Sequence, residues 1–247
     1  YPGNYLESQV AFFASHGYVV AVQDKRGKFR SEGVSTASGG DANDGYDSIE
    51  WLSQQTWSNG RVGTFGCSYL GDVQIFLAQA KPPALRAMIP QASGSAAGSI
   101  GQLYRYFGVR VGGAVDWASS IGWFAQAGQK IAPKLSADLD RATYTADYTP
   151  YNRAPASPVV DYPRAWYHLP MVDALRDQGL PPSDFEDNIS RSPSDPYWSQ
   201  LPYMTDAYTS DVPALFVNSW YDFGADVTLY EFNHFRAHSV SETARAN

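Results

Sequence analysis

The chain has 247 residues, which at roughly 150 residues per domain means one large domain or one domain carrying a substantial insertion. Its formal net charge of −7 argues against a broad basic surface, and so against nucleic acid or a membrane surface as partner. With 44% hydrophobic and 15% aromatic residues it is too apolar for a disordered chain, yet no run approaches the roughly 18 apolar residues that span a bilayer.

From Tyr5 to Ser15, Leu6, Val10, Phe12 and Phe13 recur at near-helical spacing, and His16-Gly17 stops that helix. Tyr18 to Val22 reads as a short core strand ending in polar Gln23 to Arg26, and a glycine- and serine-rich loop runs from Gly27 to Gly40. Tyr46 to Gln54 is an amphipathic helix, Asn59-Gly60 a turn and Arg61 to Gly66 a second core strand. A helix over Tyr69 to Ala80 is ended by Pro82-Pro83, and Leu85 to Ile89 supplies a third strand. This alternation implies crossover units and a parallel sheet, hence an α/β architecture.

The rhythm breaks between about Ser93 and Ser210, where aromatics, glycines, prolines and helix-like pieces such as Met171 to Gln178 indicate a mostly helical insertion. It resumes with a strand at Pro213 to Asn218, the turn Tyr221-Asp222 and a helix from Val227 to His238. Residues 1–92 and 211–247 are therefore expected to form the α/β core, with 93–210 as a helical cap.

Gly63-Thr64-Phe65-Gly66-Cys67-Ser68-Tyr69-Leu70-Gly71 lies between a predicted strand and a predicted helix, where a nucleophile elbow sits. A serine on such a turn lifts its hydroxyl above the sheet edge, and the amide of the next residue, Tyr69, at the positive end of the new helix can stabilise an oxyanion. The generic G-x-S-x-G spacing is only partly met, because Leu70 holds position +2 and the second glycine, Gly71, follows it. The competing reading makes Ser68 a helix cap.

Gly66-Cys67-Ser68-Tyr69-Leu70-Gly71 resembles the G-x-S-Y-x-G elbow of the cocaine esterase, α-amino-acid ester hydrolase and Xaa-Pro dipeptidyl-peptidase group of α/β-hydrolases, and cocaine-esterase-like members look most similar. Gln23 to Gly27 with Ser31-Glu32-Gly33 resembles that group's D-x-R-G…S-E-G loop, Tyr46 to Gly60 its helix and turn before the elbow strand, and Asn218 to Asp222 its W-Y-D turn. The resemblance implies an α/β-hydrolase fold with an incomplete parallel sheet and a mostly helical cap. It implies Ser68 as nucleophile, Asp222 as triad acid, and Tyr69 and Tyr1 as oxyanion donors, with Tyr5 as an alternative to Tyr1. Asp222 alternatively reads as a turn or cap aspartate.

Trp166, Trp220 and Asp226 are the expected substrate contacts. Trp117, Trp123, Phe124, Trp166, Tyr167, Tyr197 and Trp198 could cover an acyl pocket or simply pack within the cap. The acidic pair that follows the acid in amino-ester hydrolases is replaced by Phe223-Gly224-Ala225-Asp226, so an uncharged acyl group, as a small-molecule ester or amide, is expected. The alternatives are a dipeptidyl-peptidase-like activity and a non-catalytic binding module.

Acyl transfer through serine also needs a base. His16 closes the first helix, His168 lies in the insertion, and His234 and His238 fall in the helix after Asp222. The family histidine belongs to a loop roughly 30 or more residues beyond the acid. The chain is therefore expected to be a portion of a longer enzyme, inactive alone, with the base outside it. With one cysteine, Cys67, and no His, Asp and Glu cluster at ligand spacing, neither a metal nor an organic cofactor is expected.

Overall fold

The computed structural model describes residues 4–28, 31–36, 40–106, 110–130 and 159–246. They fall into two compact units, one drawn from Tyr1–Ala37 and Ile121–Asp187, the other from Ser38–Ser120 and Asn188–Asn247.

In the first unit, helix α1 covers Asn4–Ser15. It ends in a left-handed Gly17 (φ 88°), with the Gly17 amide on Ala14 O, the Tyr18 amide on Phe13 O, and the Phe13 and Tyr18 rings edge to face at 5.9 Å. This double-bonded glycine terminus with its apolar contact satisfies carbonyls the helix would otherwise leave bare. The strand expected at Tyr18 to Val22 does not form; the segment is irregular, and Tyr18, Val19 and Val22 are exposed. β-branched residues prefer a strand only where a neighbouring strand pairs with them and buries a face, and here that burial is missing.

The loop that follows is tightly closed. The Gly27 amide reaches Glu32 O at 2.9 Å, the Ser31 hydroxyl reaches Asp24 O at 2.7 Å, and a Cβ on Gly27 would lie 2.3 Å from the Ser35 nitrogen. Arg26 braces it by lying along Gly33, whose added Cβ would sit 3.0 Å from Arg26 Cγ. Elsewhere in this unit Phe124 stacks edge-on against Phe185, and Lys130 pairs with Asp184 at 2.9 Å. The helix expected over Met171 to Gln178 is instead two short 3-10 turns, Met171–Asp173 and Arg176–Gln178.

The second unit carries the parallel sheet. Helix α2 (Asp41–Ser53) leads to β1 (Val62–Cys67), helix α3 (Tyr69–Gln79) and β2 (Leu85–Gln91). β1 pairs parallel with β2, from Val62 opposite Leu85 to Cys67 opposite Gln91. Residues 213–218 lie along the other side of β2, bridging Met88 with Ala214 and Gln91 with Val217 in parallel sense. Pro90 interrupts that second ladder: the bonds on either side form, Leu215 N to Met88 O and Ala92 N to Val217 O, but proline has no N–H to give.

Helix α3 is buried along Gly71, Asp72 and Gln74 to Ala78, with Ile75 and Phe76 fully enclosed; such side chains each stabilise by about 2 kcal/mol. Gln74, also buried, accepts from the Thr64 hydroxyl and the Ile89 amide and donates to Leu70 O, so its polar burial is compensated. The described part of the region 93–115 holds two two-residue strand pairs, Ser99–Ile100 with Leu103–Tyr104 and Arg110–Val111 with Ala114–Val115. Helix α4 is Trp117–Gln126, α5 Tyr162–Trp166, α6 Phe185–Ser190, α7 Ala225–His238 and α8 Glu242–Ala246. Among the described residues no helix is long and apolar enough to cross a membrane.

Candidate active site

Ser68 stands between β1 and α3 with φ 61° and ψ −128°. A non-glycine residue there costs on the order of 1–3 kcal/mol, strain that persists only when the surroundings impose it. They do: the Ser68 amide donates to Gln91 O at 2.9 Å, and the Ser68 carbonyl accepts from the amides of Gly71 (2.7 Å) and Asp72 (3.0 Å). The side chain is exposed and caps none of the α3 amides. The helix-cap alternative for Ser68 therefore has no hydrogen bond behind it.

The two glycines of the elbow are steric requirements. A Cβ on Gly66 would lie 2.5 Å from Leu70 Cβ, and one on Gly71 would lie 2.6 Å from the Gln91 carbonyl. The second glycine stands at +3 because that position, not +2, faces β2, while the Leu70 side chain at +2 occupies the space that Gly66 leaves open.

Tyr69 is the first residue of α3, where amides point outward from the positive helix end. Its hydroxyl donates to the buried Asp41 carboxylate of α2 at 2.5 Å, and burial above all pushes the phenol's pKa well up, with the Asp41 charge adding to it. Tyr1 lies outside the described residues, and of Tyr5 only the backbone is described.

Asp222 follows the 213–218 segment, so it and Ser68 both lie at the carboxyl ends of parallel strands with β2 between them. Neighbouring strands stand about 4.8 Å apart, which sets the strand ends roughly 10 Å from each other. Asp222 Oδ1 accepts from the Gly224 amide at 2.7 Å, and its own amide bonds Ser219 O. Trp220, Tyr221 and Phe223, on either side of it, are exposed. Trp166 is half exposed on α5 in the first unit, whereas Phe124 and Trp198 are core residues.

Asp226, in the first turn of α7, pairs with Arg105 at 2.7 Å, and Arg105 also donates to Phe223 O at 3.1 Å. The Asp226 charge thus has a cation of the same chain beside it. Each histidine ring has a partner: His16 on Phe12 O, His168 with Asp177, His234 on Tyr208 O and His238 on His234 O.

Asp72 and Glu231, neither singled out by sequence, lie in the interior of this region. Asp72 is buried, and burial raises its carboxyl to a pKa of about 7, opposed by the Ser95 and Ala96 amides and assisted by the Asp222 charge. Glu231 on α7 is fully enclosed, accepts from the Ser93 hydroxyl at 2.6 Å, and is pushed well above the usual carboxylate range by the same desolvation.

A family model described as X-Pro dipeptidyl-peptidase (S15 family) matches residues 3–243. Cocaine esterase of Rhodococcus sp. (strain MB1 Bresler) is 29% identical over 227 residues, covering 89% of this chain and 35% of that protein. Among solved structures, an α-amino acid ester hydrolase superposes with TM-score 0.55 at 21% identity, over 92% of this chain and 36% of that one. An aminopeptidase from a marine sediment archaeon, Thaumarchaeota archaeon, does so with TM-score 0.51 at 23% identity, over 90% and 36%. At these identities the two structures speak for the fold alone, that of α/β-hydrolase-type enzymes, of which the chain shows a partial sheet with helices. The chain spans about a third of the length of each of these relatives.

Proposed function

The chain belongs to the X-Pro dipeptidyl-peptidase (S15) family of hydrolases, and from that premise we propose that it carries the nucleophile and acid of a serine hydrolase acting on an acyl ester or amide. Residues 1–92 and 211–247 supply the hydrolase core and 93–210 the cap. Ser68 Oγ attacks the acyl carbon while its proton passes to a histidine base oriented by Asp222. The carbonyl oxygen becomes an oxyanion that accepts from the Tyr69 amide and, as the family resemblance implies, from a tyrosine hydroxyl, that of Tyr1 or Tyr5. The tetrahedral adduct collapses, the leaving alcohol or amine takes the proton from the histidine, and water attacks the acyl-enzyme by the reverse relay.

One observation carries this reading: an exposed serine in a strained strand-to-helix turn, capping nothing, on the same sheet end as Asp222. His234 and His238, in the unit that holds Ser68, bond the Tyr208 and His234 carbonyls, which supports a base supplied by a histidine outside these 247 residues. Trp220, exposed two residues before Asp222, offers aromatic surface to the acyl group. The Arg105–Asp226 pair at 2.7 Å supports an uncharged acyl group, since a substrate ammonium would have to displace the guanidinium. The family description favours a second reading, an Xaa-Pro dipeptidyl-peptidase-like cleavage, which needs an anionic contact for the peptide amino terminus. Turnover of matched neutral acyl esters, acyl amides and Xaa-Pro amides by the complete gene product separates the two. A protein that turns over none of them and takes no fluorophosphonate is a binding module instead.

A further inference from the structure

The short loop after β2 touches the helix that follows Ser68 and the turn that holds Asp222. Ala92 turns out of the strand with φ 46°, and the Gly94 amide folds back onto Ala92 O at 2.9 Å, a tight turn that an alanine adopts only under constraint. Three anchors supply that constraint. The Ser93 hydroxyl donates to Glu231 Oε2 on α7 at 2.6 Å. Gly94 lies so close against Gly224 that a Cβ on either would come within 2.8 Å of the other's Cα. The Ser95 amide donates to Asp72 Oδ1 on α3 at 3.1 Å.

Asp72 belongs to the first turn of α3, and its amide also holds the Ser68 carbonyl. Gly224 gives its amide to Asp222 Oδ1, and its added Cβ would lie 3.2 Å from that oxygen. The loop therefore joins the backbone that holds the nucleophile to the backbone that holds the acid. We propose that Ser93, Asp72 and Glu231 are positioning residues that use this loop as a spacer, fixing the Ser68-to-Asp222 geometry without touching substrate. The inference rests on the assignment of those two residues as nucleophile and acid.

The polar cost of the arrangement supports a purpose beyond packing. Ser93 and Glu231 are both fully buried, and among the described residues Glu231 Oε1 has no hydrogen-bond partner. An apolar side chain of similar volume would avoid that loss, as replacement of buried polar groups by hydrophobic ones is often neutral or stabilising.

The test uses the complete gene product with an activated ester. Ser93→Ala and Glu231→Leu are expected to lower kcat at least about tenfold while KM stays within about twofold, since a misplacement of about 1 Å can cost a hundredfold. Glu231→Gln, which keeps an acceptor for Ser93, is expected to restore kcat to within about threefold of the parent. A purely structural role would lower the melting temperature and leave kcat at lower temperature unchanged. Folded Ser93→Ala and Glu231→Leu proteins with parental kcat overturn the proposal, as does a Glu231→Gln protein as slow as Glu231→Leu. Should Glu231→Leu not fold, Ser93→Ala alone decides. A fluorophosphonate adduct mapped on the parent keeps the two levels apart: its absence from Ser68 sinks the nucleophile assignment, while its presence with unchanged variants sinks only the spacer.

Discussion

Asp72→Asn tests the electrostatics beneath the site with little change of shape, because asparagine keeps an oxygen for the Ser95 amide. Burial raises the Asp72 carboxyl from 3.8 to about 7, a displacement of about three pKa units or on the order of 4 kcal/mol. The native protein holds this proton more tightly than the unfolded chain. The corresponding stabilisation is thus full below pH 3.8 and is lost as pH rises toward 7. The asparagine variant has no such proton. Chemical denaturation of parent and variant at steps from pH 4 to pH 8 should show the variant gaining on the parent by about 4 kcal/mol across that window. Two curves that stay parallel would refute the claim that this carboxyl is held neutral by burial.

Three further outcomes follow from the same geometry. Gly71→Ala drives a methyl group into the Gln91 carbonyl at 2.6 Å, backbone that cannot swing aside, and should cost about 1–3 kcal/mol in denaturant midpoint analysis while slowing fluorophosphonate labelling. Asp222→Asn should keep the fold and lower kcat of the complete gene product by about 10⁴, the loss expected when the orienting acid of a triad becomes an amide. Arg105→Ala frees the Asp226 carboxylate and should raise kcat/KM for α-amino acyl esters relative to their neutral counterparts. An unchanged ratio would mean that this ion pair has no part in selecting the acyl group.

What the sequence made legible was local and continuous. The run from β1 through Ser68 to α3 was readable because apolar strand, small residues and helix follow one another, and β2 because its apolar residues lie between turn signals. Helix α2 begins at Asp41, ahead of the expected Tyr46, and includes Gly45. In the structure that glycine lets α2 approach α3, where an added Cβ would meet Leu77 at 3.0 Å, and Asp41 and Asp44 complement the positive helix end. The strand expected at Tyr18 to Val22 failed for the opposite reason: its composition favours a strand, and nothing in the sequence says whether a partner pairs with it. Asp72, Ser93 and Glu231 were illegible because their meaning lies in contacts between residues far apart in the chain. A hydroxyl and a carboxyl that meet across more than a hundred positions leave no spacing to recognise.

The most direct test of the account is the site of covalent capture. The complete gene product, treated with a fluorophosphonate and digested, should yield a single modified peptide with the adduct on Ser68, and Ser68→Ala should abolish labelling. An adduct on another residue, or labelling that survives Ser68→Ala, would contradict it.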